Sequence, residues 1–245
     1  SRVAHNSLGL YYTKLQQFDL AREALEKALK IDENYEQAKR NLVDLYIEMG
    51  RDFSSKKQYA QAVESVRKAI SYNPESKVSH SNLGFYYKSQ KQYLLAERHY
   101  LEALRIDAEY QKAKSNLVSL YIEMGIDYDE RGNYQDAIRY LNIAKTYDAN
   151  NNTIYCNLGH YYIQSGSYQQ AETALLRARE IEPTDRQTNI NLSSLYVKWA
   201  IRFGNASNYN MAIEYANKAL RYNSSNATAY CNLGYYYVSI GQYSD

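Results

Sequence analysis

Asparagine stands at Asn41, Asn82, Asn116, Asn157, Asn191 and Asn232, at intervals that alternate between 41 and 34 residues. Ser7 takes the first equivalent place, with Asn6 beside it. A side-chain amide carries two donors and an acceptor, the complement of a peptide bond. A row of amides at regular spacing could hold an extended polypeptide by its main chain without reading its sequence. The alternative is that each amide braces one helix against the next. A net hydrogen bond contributes about 0.5–1.5 kcal/mol, and ordering a flexible ligand offsets much of that. Such a row predicts weak binding that grows with ligand length.

Other chemistry at this spacing is sparse. Three residues beyond the amide place stand Leu10, Phe85, His160 and Tyr235 in one set of copies, and Asp44, Ser119 and Ser194 in the other. Glu48, Glu123 and Lys198 follow one turn later in the second set. Phe85, His160, Tyr235, Asp44, Glu48 and Glu123 therefore join the asparagines as candidate partner-binding residues. There is no P-loop, paired zinc-ligand motif or nucleophile elbow. His5 and His80 share one repeat position, which points to a framework role. Cys156 and Cys231 also share one position, 75 residues apart, too far along a repeat protein to bridge. These features predict a non-catalytic protein with no metal and no cofactor. Asn-x-Ser/Thr sequons at Asn151, Asn191, Asn205, Asn223 and Asn226 matter only in a secretory pathway.

Composition narrows the class further. The 245 residues carry 29 basic and 27 acidic side chains, a formal charge of +2, which argues against a nucleic-acid partner. No apolar run is long enough to insert in a membrane. A cytoplasmic setting is expected, or a cell-surface one if the segment belongs to a longer chain. Only two prolines leave long helices unbroken. Tyrosine outnumbers phenylalanine 29 to 4. Tyrosine buries a ring and keeps a polar tip, so a slender protein with little deep core is expected.

The elements behind these residues follow from a 75-residue period. Asn82-Leu83-Gly84, Asn157-Leu158-Gly159 and Asn232-Leu233-Gly234 recur at that spacing, with Ser7-Leu8-Gly9 as the first copy. Each period holds two similar halves. In each half a leucine precedes a tyrosine by four residues: Tyr12, Tyr46, Tyr87, Tyr121, Tyr162, Tyr196 and Tyr237. Residues four apart share a helix face. A second segment opens on Phe18, Tyr59, Tyr93, Tyr134, Tyr168, Tyr209 and Tyr243. Its alanines lie seven apart, as in Ala21 and Ala28 or Ala62 and Ala69, a stripe that lets a neighbouring helix approach closely.

This skeleton resembles the tetratricopeptide repeat family over nearly the whole chain. The resemblance implies an all-α, right-handed superhelical solenoid of antiparallel helix pairs, with the first helix of each pair (A) lining the concave side. The repeats are expected at 2–35, 36–76, 77–110, 111–151, 152–185, 186–226 and, as a half repeat, 227–245. The family's helix-ending proline survives as Pro74 and Pro183; Asp- and Asn-containing turns such as Tyr147-Asp148-Ala149-Asn150 can end the helix elsewhere. The amide row resembles the asparagine ladder in the repeat arm of protein O-linked N-acetylglucosamine transferases. The likeness does not extend to the carboxylate clamp of chaperone-binding members, for which only scattered Arg40 and Lys112 are available.

Every second half departs from the family by seven extra residues, within Arg51 to Gln58, Ile126 to Asn133 and Ile201 to Asn208. Seven residues are almost two helical turns and rotate a face by only about 20°. They should lengthen helix A, giving alternating short and long ribs; an ordinary longer loop is the alternative. Val43, Val118 and Ser193 replace the glycine there, so the two helices of these repeats should stand slightly further apart. The function expected is a scaffold that binds an extended polypeptide or protein partner in its groove. A self-assembling filament or array, a homo-oligomer joined through uncapped ends or long ribs, and a recognition arm of a larger enzyme are the alternatives.

Overall fold

The computed structural model describes residues 1–241. Tyr243 and the remainder of the half repeat 227–245 beyond Gly241 lie outside the described residues. Within them the chain folds into thirteen helices and no strands. The A helices are α1 (Arg2–Lys14), α3 (Glu36–Ser55), α5 (Lys77–Ser89), α7 (Gln111–Glu130), α9 (Asn152–Gln164), α11 (Arg186–Asn205) and α13 (Ala227–Ser239). The B helices are α2 (Phe18–Ile31), α4 (Tyr59–Tyr72), α6 (Tyr93–Ile106), α8 (Tyr134–Tyr147), α10 (Tyr168–Ile181) and α12 (Tyr209–Tyr222). The architecture is an all-α tetratricopeptide-type solenoid.

The seven extra residues fall wholly in helix A. The A helices alternate between 13 and 20 residues. Every B helix has 14. Local chemistry marks the ends. Ser1, Ser76, Asn151, Asp185 and Asn226 accept from backbone N–H groups in the first turn of their A helices. Each A helix is followed by one residue in the left-handed region: Gln16, Lys57, Lys91, Gly132, Gly166, Ser207 or Gly241. After the B helices, Asp32, Asn73, Asp107, Asp148 and Asn223 each accept from the N–H two residues on. These Asx turns do what Pro183 does after α10.

The chain divides into two compact units, Ser1–Leu120 and Tyr121–Asp245, with the division inside α7. All twelve alanines of the B-helix stripe are fully buried. In unit 1, Ala21, Leu25, Leu42, Leu45, Tyr46 and Ala69 form one core cluster. In unit 2, Ala171, Leu175, Leu192, Leu195, Tyr196 and Ala219 form its counterpart. The expectation of a shallow core needs correction. Tyr100, Tyr121, Tyr161 and Tyr196 are wholly buried and do the space-filling of core residues.

A close approach of A to B recurs in the first long repeat, seven residues beyond the place of Val43. In short repeats the glycine faces the residue sixteen positions on; a Cβ at Gly9 would lie 2.5 Å from Leu25, and one at Gly84 would lie 2.7 Å from Tyr100. In the first long repeat the tight place is Gly50, where a Cβ would lie 2.8 Å from Val66, again sixteen on. Gly125 faces Leu141 more loosely, at 3.4 Å. At Gly50 the tight crossing has moved along helix A by the inserted heptad, because seven residues return to nearly the same face.

Candidate partner-binding face

The asparagines fall into two kinds. In the long repeats they brace neighbouring A helices. Asn41 is buried; its Nδ2 donates to Asn6 Oδ1 at 2.7 Å, and its Oδ1 accepts from Gln37 at 3.1 Å. Asn116 donates to Ser81 Oγ at 3.2 Å. Asn191 donates to the carbonyl and sulfur of Cys156, both at 3.4 Å, and accepts from Gln187. Asn6, Ser81 and Cys156 are one repeat position, so the brace recurs in each copy. It also gives Cys156 a buried structural place, whereas Cys231 is exposed.

The short-repeat asparagines differ. Asn82 is only 6% exposed, and its Nδ2 has no hydrogen-bond partner; its Oδ1 accepts from Lys112 Nζ at 3.4 Å. Asn232 Nδ2 is likewise buried without a partner. Asn157 is half-buried. A buried N–H left unpaired costs roughly 1–3 kcal/mol, so Asn82 and Asn232 ask for an acceptor.

Around Asn82 the structure supplies a place for one. A cavity of about 470 Å³ is lined by Asn82, Phe85 and Tyr86 of α5, Lys112 and Asn116 of α7, and Arg51, Ser54 and Ser55 from the last turns of α3. The last three come from the inserted heptad, so the long helix builds one wall. Glu48 and Arg51 form an ion pair. Burial pushes the Tyr86 hydroxyl up to about 12, which keeps it a neutral donor. Phe85 is exposed, an apolar ledge beside the amide. Lys112, which looked scattered in the sequence, is thus beside Asn82. Arg51, Ser54, Ser55 and Tyr86 were not among the candidates; their signal was membership of the insert and of the turn after Asn82.

The remaining candidates spread more widely. Asp44 is solvent-facing, and its carboxyl is raised by partial desolvation and by Glu48 beside it. Glu123 is half-buried. In unit 2, 75 residues beyond Arg51, Ser54, Phe85 and Lys112, stand Ile126, Asp129, His160 and Gln187. His160 Nε2 lies 3.8 Å from Asp129 Oδ2. The two basic side chains of unit 1 are thus replaced by an apolar and a neutral residue, with an acidic one added. Tyr235 is exposed and meets Tyr209 and Tyr236 edge-on. Among the described residues, no three His, Cys, Asp or Glu side chains are grouped to hold a metal. No described helix is long and apolar enough to cross a membrane.

Comparison with known proteins identifies the family and the fold. Residues 1–74, 77–146 and 153–185 match the tetratricopeptide repeat family. Over 86 residues the chain is 34% identical to the BBSome complex member BBS4 of Bos taurus; the match spans 35% of this chain but 15% of that protein. Among solved structures, MamA from residue 41 onward of Desulfovibrio magneticus RS-1 superposes with a TM-score of 0.51 at 13% identity, covering 76% of this chain and 97% of that one. YrrB, described as a TPR protein with an unusual peptide-binding site, gives 0.49 at 19% identity, covering 85% and 96%. At these identities the structural likeness is one of fold. With the family's pattern matched over more than half of its length, the chain belongs to the tetratricopeptide repeat family.

Proposed function

We propose that this protein-interaction scaffold binds an extended polypeptide on the A-helix face, and that in unit 1 the cavity at Asn82 holds a carbonyl or carboxylate oxygen of that polypeptide. The observation that carries the reading is the buried Asn82 Nδ2, unpaired and set beside Lys112 and Phe85. An oxygen acceptor would satisfy the amide, and Lys112 with Arg51 favours one that bears negative charge. Phe85 offers an apolar surface to the flanking side chain. The long-repeat amides hold the face in shape, so fewer amides remain for the ligand than the sequence row suggests.

The test is a titration of unstructured acidic peptides of increasing length, with a basic series alongside. Wild type should prefer the acidic series and gain affinity with length. Asn82→Ala combined with Lys112→Ala should weaken binding about tenfold, equivalent to ~1.4 kcal/mol. Equal affinity of wild type and the double variant at every length would refute the reading.

A further inference from the structure

The three long repeats hold the same nest of aromatic rings, with one ring missing. In the second, Tyr140 of α8 stacks on Tyr121 at 6.2 Å and on Tyr128 at 5.4 Å, both of α7. In the third, Tyr215 of α12 stacks on Phe203 at 5.3 Å and Trp199 at 5.7 Å, and leans on Tyr196 at 6.1 Å. In the first, the flanking rings are present as Tyr46 and Phe53 of α3, but the middle position is Ser65 of α4.

The space has not closed. An open pocket of about 270 Å³ remains, lined by Tyr46, Met49, Phe53 and Ser65 together with the exposed Arg22, Gln61, Glu64 and Lys68. Tyr46 stacks on Tyr72 at 6.1 Å, as Tyr121 does on Tyr147 and Tyr196 on Tyr222, so the wall keeps the arrangement of its counterparts. The Ser65 hydroxyl donates to the carbonyl of Gln61 in its own helix at 2.9 Å. It therefore demands nothing of the cavity. Lys68 is the counterpart of Lys218, whose ammonium stands 4.1 Å from the Tyr196 ring centre and 5.9 Å from that of Tyr215. A cation near a ring face favours an electron-rich ring there.

We propose that this slot receives an aromatic side chain, tyrosine in first place, from a bound polypeptide. The chain itself supplies the template, since two of its three long repeats fill the equivalent place with tyrosine. The proposal rests on the polypeptide-binding reading for its partner class. Its site is separate, built by α2, α3 and α4 where the Asn82 cavity is built by α3, α5 and α7.

The experiment follows the labelled Met49 methyl by NMR while N-acetyl-tyrosinamide is titrated, with N-acetyl-leucinamide as comparison. Wild type should show a saturable shift with tyrosinamide and at least fivefold weaker binding of leucinamide. Ser65→Tyr should fold, melt no lower than wild type, and lose the response. Asn82→Ala should keep it, which separates failure of the slot from failure of the Asn82 site. Absence of a saturable shift in wild type overturns the proposal. So does equal binding of leucinamide, an unchanged response in Ser65→Tyr, or a Ser65→Tyr protein that cannot fold, since the slot would then not accept the ring its counterparts hold.

Discussion

Asn41 Nδ2 donates to Asn6 Oδ1 at 2.7 Å across two successive A helices, with both side chains buried. Cutting this bond strands the Asn6 oxygen, whereas cutting Asn82 strands little, since its Nδ2 has no partner and Lys112 is 3.4 Å from its oxygen. Asn41→Ala should therefore lower stability by about 1–2 kcal/mol. Asn82→Ala should stay within about 0.5 kcal/mol. Urea unfolding of both variants compares them, and equal losses would show that the two asparagine classes are not distinct.

Gly84 and Gly125 predict opposite signs for the same substitution. A Cβ at Gly84 would sit 2.7 Å from the fully buried Tyr100 ring and 3.1 Å from the Ala96 carbonyl. Gly84→Ala should cost about 1–3 kcal/mol by overpacking. At Gly125 the nearest atoms are at ordinary distance, 3.4 Å or more. Gly125→Ala should gain up to about 1 kcal/mol from helix propensity. Thermal melts of the two proteins supply the check.

Lys91 holds a φ of 56° in the turn between α5 and α6. Gly132 and Gly166 occupy the equivalent place in the next two repeats. A side chain in the left-handed region costs about 1–2 kcal/mol, partly offset by the greater freedom of glycine when unfolded. Lys91→Gly should raise stability by about 0.5–1 kcal/mol in chemical denaturation.

His99 predicts an acid-sensitive joint in unit 1. Burial depresses its pKa from 6.5 to about 4, helped by His80, Arg98 and Arg67 and opposed by Glu102. His80 Nε2 donates to the Pro74 carbonyl at 2.9 Å, so its Nδ1 accepts from His99 Nδ1 at 3.2 Å. Tyr87 also stacks on His99 and accepts from Arg67. Between pH 6.5 and 4 the unfolded chain binds the proton that the folded one refuses, so the folded state loses stability as pH falls through that window. The other short repeats have Ala24 and Ala174 at this place. His99→Ala should flatten the pH dependence by about 1–2 kcal/mol, a reduced figure because the ring is part-exposed. Urea midpoints at pH 7 and pH 4.5 measure it; parallel curves for variant and wild type would exclude His99.

The helices were legible because their signals are local and repeated. The aromatic openers of helix B and the alanine stripe mark the packing faces, and the heptad could lengthen helix A without rotating it. The glycine shift from the place of Val43 to Gly50 was written in the sequence too, but reading it needs the partner Val66 sixteen residues away. The asparagines defeated a one-dimensional reading for a physical reason. The same side chain is a brace or an open donor according to what stands on the preceding A helix, and Asn6 against the open site at Asn82 decides that only in three dimensions. Ser65 against Tyr140 and Tyr215 is visible as a sequence difference, yet only packing shows that the difference leaves an open pocket.

The alternation of 13- and 20-residue A helices has a consequence for how such a chain can change. An insertion of one, two or five residues would swing the end of helix A away from helix B and require a new interface. One heptad advances the junction by about 10 Å with almost no rotation. The reach of each layer can therefore be altered by gain or loss of a single in-frame block while the contacts between layers are inherited intact. Lateral dimension and interlayer fit become separately adjustable properties of one protein.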